Sequence, residues 1–105
     1  MRVSLVDMPG LIADLVQDAL ESQPGIQVVS EGDSAVDVLI TGAGRRLSLR
    51  AREFLRAREG RRVITITAEG RAVFLYDSSM RKQPLGELSP MALVEAVAGR
   101  GLTSA

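Results

Sequence analysis

The chain has 105 residues, room for one domain with a single core, and its 13 Lys+Arg balance 13 Asp+Glu. It contains neither His nor Cys, which removes the commonest metal ligand and general base, every Ser-His-Asp or Cys-His constellation, thiolate zinc sites and disulfides. The 46% hydrophobic fraction is that of a folded domain, no apolar run approaches the ~20 residues of a membrane span, and Phe54, Phe74 and Tyr76 are too few aromatics for a base-stacking nucleic-acid platform.

Arg2 to Val6 is a β-rich run, so the chain opens on a strand rather than a signal peptide, and a cytoplasmic location is expected. Pro9 or Gly10 then stands at a helix entrance. Leu11, Ile12, Leu15, Val16, Ala19 and Leu20 recur at intervals of three and four, with Asp14, Gln17, Asp18 and Glu21 on the other face, so an amphipathic helix follows and stops at Pro24-Gly25. Ile26 to Ser30 is a second strand and 31–34 a polar turn. Val36 to Thr41 is nearly continuously apolar, as in a central parallel strand buried on both faces.

If the second and third strands flank the first, about six residues must carry the chain across. At ~3.3 Å per residue they reach roughly 20 Å, barely enough without a helix. An antiparallel hairpin at 31–35 is the competing arrangement. Gly42-Ala43-Gly44 forms a loop, and Ser48 is positioned to cap a helix from Leu49 to about Glu59 whose buried stripe is Ala51, Phe54 and Leu55.

Val63 to Thr67 is a fourth strand. Ala68 to Arg71 is too short for a parallel crossover, so Ala72 to Tyr76 returns as an antiparallel hairpin. A further short strand at about Met80 to Leu85 restores the direction, with Pro84 suited to a sheet edge. Ser89-Pro90 starts a last helix that Gly99 ends, with Met91, Val94, Val97 and Ala98 facing the core.

The balanced total conceals a segregation. Residues 45–62 hold eight arginines (Arg45, Arg46, Arg50, Arg52, Arg56, Arg58, Arg61, Arg62) against Glu53 and Glu59, a surplus of six positive charges that the remaining residues offset with six negative ones. A solvated helix face accounts for much of this. Beyond that, a basic segment on an acidic body suits self-pairing or an acidic protein partner, and direct nucleic-acid binding is not expected from a chain without net charge.

Several segments together carry a family resemblance: Val3-Ser-Leu-Val-Asp7, Leu20 to Val29, Asp37-Val-Leu-Ile40, Val63 to Ala68, and Leu88 to Val97. In them the chain resembles the receiver domain of two-component response regulators, over most of its length but weakly in 43–62 and 69–87. It is most similar to receivers that precede DNA-binding helix-turn-helix domains. The resemblance implies one divergent domain over 1–105. It implies an α/β, flavodoxin-like, receiver-like three-layer fold, whose mainly parallel sheet has an antiparallel hairpin near its C-terminal edge. The tail 101–105 resembles the opening of such a helix-turn-helix domain, which implies a C-terminal DNA-binding domain in the native gene.

The same resemblance implies an erased phosphorylation pocket lined by Asp7, Met8, Thr41, Gly42, Thr67 and Tyr76. A receiver binds Mg²⁺ through two adjacent acids after its first strand. Here Asp7 keeps the first and Met8, a thioether unsuited to a hard cation, replaces the second. The phosphoryl-accepting Asp is replaced by Gly42, beside Thr41. Thr67 fits the hydroxyl switch position, and Tyr76 stands nearest the position of the phosphate-pairing Lys. Aspartyl phosphorylation is therefore not expected, nor any catalytic residue, metal or cofactor.

The expected function is a non-enzymatic, phosphorylation-independent protein-interaction or dimerisation module of bacterial signalling or transcriptional regulation, pairing through the hairpin edge or the last helix. The alternative is a small-ligand or anion sensor. In it Gly42, Gly44, Arg45 and Arg46, between a strand and a helix, would cradle the anion, although Leu47 replaces the third glycine of a dinucleotide fingerprint and no Walker Gly-Lys-Ser/Thr is present.

Overall fold

A computed structural model describes residues 1–8, 10–29, 35–42, 47–67 and 71–98. Six strands and three helices follow in the order β1 (Arg2–Val6), α1 (Gly10–Glu21), β2 (Gln27–Val29), β3 (Val38–Gly42), α2 (Leu49–Ala57), β4 (Arg62–Ile66), β5 (Val73–Tyr76), β6 (Lys82–Gly86) and α3 (Pro90–Ala98). The strands form one sheet in the order β2-β1-β3-β4-β5-β6.

β2 and β3 both run parallel to β1, with Val3 beside Val28 on one side and Val38 on the other, which excludes the hairpin between the second and third strands. β3 and β4 are also parallel, Ile40 opposite Ile64. β5 is antiparallel to both its neighbours, with Leu75 between Ile64 and Gln83. The register slips between Val73 and Phe74, leaving Leu85 as the extra residue of a bulge before Gly86.

This topology corrects the flavodoxin-like, receiver-like expectation. Three of the five strand pairings are parallel and two antiparallel, so the sheet is mixed and ends in a three-strand meander. Among the described residues three helices serve six strands. The physical reason is connection length: the spans between β4 and β5 and between β5 and β6 are too short for crossovers, which require a dozen or more residues.

Strand alternation sends side chains to two opposite faces. Val3, Val38, Ile40, Ile64 and Ile66 pack with Val16 and Leu20 of α1 and with Leu93, Val94, Ala96 and Val97 of α3. Val6, Leu39 and Val63 pack with Ala51 and Leu55 of α2, against which Phe54, Tyr76 and Met80 lean. Two helices therefore cover one face and one helix the other. Full burial of Leu20, Ile40, Leu55, Ile64 and Ile66 contributes roughly 1.5–3 kcal/mol each.

Local signals fix the helix ends. The Ser48 hydroxyl accepts a hydrogen bond from the Ala51 N–H at 3.1 Å and caps α2. Pro90 occupies the first position of α3, and the Leu93 N–H donates to the Ser89 carbonyl at 2.9 Å. After α1, Gly25 adopts a φ of 88°, a left-handed turn that a side chain would resist. Burial departs from the sequence reading at several apolar positions. Met91 and Ala98 point outward rather than to the core, while Leu93 and Ala96 take the inward positions. Leu11 and Leu15 are also exposed, and Phe54 is half-buried.

Candidate functional site

The C-terminal ends of the parallel strands β1, β3 and β4 form one edge of the sheet, where open α/β sheets place ligands. Asp7 and Met8 follow β1, Thr41 and Gly42 close β3, and Thr67 follows β4. Val6 pairs with Thr41, Thr41 with Thr65, and Gly42 with Ile66, so these residues share one end of the sheet.

The edge is closed by backbone contact. A Cβ on residue 42 would lie 2.5 Å from the Asp7 carbonyl oxygen and 3.8 Å from the Met8 Cα. Asp7 is exposed and holds a φ of 53°, a left-handed conformation that Asp tolerates better than most residues. Met8 is half-buried and packs against the core on the α1 side, an apolar role that no cation requires. The buried Thr41 hydroxyl donates to the Gly42 carbonyl at 3.4 Å.

Thr67 is committed to the turn. Its hydroxyl accepts from the Ala72 N–H at 3.1 Å, and its own N–H donates to the Ala72 carbonyl at 3.0 Å. Tyr76 does not join the group. Because β5 runs antiparallel, Tyr76 pairs with Val63 at the opposite end of β4, about 10 Å along the strand from Ile66 at ~3.3 Å per residue. The edge thus gathers Asp7, Met8, Thr41, Gly42 and Thr67, with one carboxylate among them. No group of three metal-ligating side chains occurs among the described residues. Gly44, Arg45 and Arg46 of the candidate anion loop lie outside the described residues.

The basic segment is partly structural. Arg62 at the start of β4 donates to the Ala96 and Val97 carbonyls at 2.8 and 2.7 Å, capping α3 at its C-terminus. Burial lowers its pKa, with the Asp37 carboxylate opposing, yet a guanidinium remains charged at neutral pH. Arg58 donates to the Val36 carbonyl at 3.1 Å and to Asp37 at 2.8 Å, while the other Asp37 oxygen accepts from the Arg2 N–H at 3.0 Å. Arg61 stacks 4.4 Å over the Phe54 ring, and burial chiefly, then the Arg58 charge, lowers its pKa against the pull of Asp37.

Arg52 and Arg56 are exposed along α2. The largest exposed apolar side chains among the described residues also lie on helices: Leu11 at 87%, Met91 at 73% and Leu49 at 70%. Leu11 and Leu15 belong by spacing to the apolar stripe of the first helix, yet both are exposed. The signal against their burial is width, since six apolar positions span more of a helix than one sheet face covers. A groove lined by Ala19, Ser22, Met91 and Val94 separates α1 from α3. No helix among the described residues is long and apolar enough to cross a membrane.

Comparison of the chain with protein-family models, with curated proteins and with solved structures finds no match to any of them.

Proposed function

We propose that this chain is a non-enzymatic protein-interaction module that works without phosphorylation. The observation that carries this reading is the placement of exposed apolar side chains on helices: Leu11 and Leu15 on α1, Leu49 on α2 and Met91 on α3. The contact of Gly42 with the Asp7 carbonyl supports the second half, because a side chain at position 42 has no room to present a carboxylate to a phosphoryl group.

Helical faces suit partner contact better than the hairpin edge does. β6 carries Lys82 and Pro84 on a short, exposed outer strand, and both residues discourage strand addition. A setting in bacterial signalling or transcriptional regulation and a C-terminal DNA-binding domain draw their support from the sequence resemblance, and a cytoplasmic location from the β-rich opening run. Residues 99–105, where the tail resemblance falls, lie outside the described residues.

Photo-crosslinking in the native host tests the reading, with a photoreactive residue at position 11 in one variant and 49 in another. Protein adducts at either position are expected, and their absence at both would overturn the module. Incubation with acetyl phosphate and Mg²⁺ is expected to leave the intact mass unchanged. A stoichiometric adduct cleaved by hydroxylamine, as an acyl phosphate is, would overturn phosphorylation independence.

A further inference from the structure

We propose that copies of this chain associate head to tail, the exposed row of α1 on one copy lying alongside the exposed row of α2 on the next. This rests on the reading of the chain as an interaction module and names its partner as a second copy.

On α1, Leu11, Asp14, Leu15 and Asp18 are exposed at intervals that place them on one side of the helix, away from buried Val16 and Leu20. On α2, Leu49, Arg52, Glu53 and Arg56 are exposed on the side away from buried Ala51 and Leu55. The rows share one spacing: a leucine, a charge three residues on, and a second charge four residues further. Both charges are acidic on α1 and basic on α2.

Two helices lying side by side and parallel bring equal offsets opposite one another. Leu11 then meets Leu49, Asp14 meets Arg52, and Asp18 meets Arg56. Leu15 falls at the offset of Glu53, so no acid faces another acid. Reversing one helix sets Leu11 against Arg56 and Leu49 against Asp18, which breaks both kinds of match. The leucines supply apolar burial, while the exposed charges set register and partner.

α1 and α2 pack on opposite faces of the sheet, so the two rows of a pair cannot engage reciprocally. The contact is heterologous and extends into a chain of copies or closes only as a ring. The charge segregation along the sequence acquires a role here, since the acidic and basic surpluses mark the two ends of one repeating contact.

Sedimentation analysis of three proteins tests this. Wild type is expected to gain mean mass with concentration and to lose the gain at high salt, where exposed charges are screened. Asp14→Arg/Asp18→Arg and Arg52→Asp/Arg56→Asp, each confirmed folded by circular dichroism, are expected to sediment as monomers alone. Their equal mixture regains assembly, because native rows face native rows and reversed rows face reversed rows. A wild type monomeric at every concentration, indifference to both reversals, or a mixture that stays monomeric would each overturn the proposal. If a monomeric wild type still crosslinks a different protein through position 11, head-to-tail pairing fails and the interaction module stands. Absence of any adduct at positions 11 and 49 overturns both.

Discussion

The Asp7 carbonyl oxygen stands 2.5 Å from the point a Cβ on Gly42 would occupy, so glycine at 42 is what lets the ends of β1 and β3 close on each other. The obstacle is backbone, which yields far less readily than the tip of a flexible side chain. Gly42→Ala is expected to lower stability by about 1–3 kcal/mol, the ordinary range for overpacking, as measured by urea unfolding. Gly42→Asp is expected to cost at least as much and to accept no phosphoryl group from acetyl phosphate. A stable, phosphorylated Gly42→Asp protein would contradict the closed edge.

The Thr67 hydroxyl is expected to matter for the turn alone. Thr67→Val keeps the shape but removes the acceptor of the Ala72 N–H, costing about 1 kcal/mol in unfolding free energy. Sedimentation behaviour should be unaltered. A change in association without a change in stability would instead give Thr67 a role in signalling between copies.

Ser48 closes α2 with one side-chain hydrogen bond to the Ala51 N–H. Ser48→Ala is expected to cost about 1 kcal/mol, while Ser48→Asp retains an acceptor and should remain near wild type. Chemical denaturation of the two variants checks the order.

Arg62 joins β4 to the last turn of α3 through two carbonyls. Arg62→Met removes both charge-assisted bonds and is expected to cost about 1.5–3 kcal/mol, with Arg62→Lys intermediate because an ammonium lacks the planar fork. Burial lowers the Arg62 pKa. A base lowered on folding disfavours the folded state while charged, and that cost shrinks only as pH climbs through its lowered pKa toward the unfolded value. Both ends of that window lie on the alkaline side, so the stability difference between wild type and Arg62→Met should be flat across neutral pH. A difference that changes between pH 6 and 8 would contradict this account.

Element positions were legible in the sequence because they depend on local signals. The apolar run from Val36 to Thr41, which contains most of β3, the Ser48 cap, the Ser89-Pro90 start and the short span after β4 each act within a few residues. Sheet class was not: the short spans give β5 and β6 their directions, but the flavodoxin-like class comes from the resemblance to receivers, whose mainly parallel sheet the terminal meander does not match. The candidate site divided along the same line. Asp7 and Gly42 meet because β1 and β3 are parallel neighbours, whereas Tyr76 is carried to the far end of β4 by its own strand's direction. Helix burial was the least legible: Leu11, Leu15 and Met91 satisfy apolar spacing yet face outward, since a periodic pattern identifies a helix face without stating how much of it a partner layer covers.

The interior position of β1 carries a kinetic consequence. β1 gains its neighbour β3 only when residues as distant in sequence as Val3 and Val38 meet, whereas β5 and β6 each pair with the strand just before them across a short span. Non-local parallel pairing closes slowly and local antiparallel pairing quickly. The β4–β5–β6 meander should therefore gain amide protection ahead of β1 in pulsed hydrogen exchange, and a refolding chain would hold it organised before β1 is locked in place.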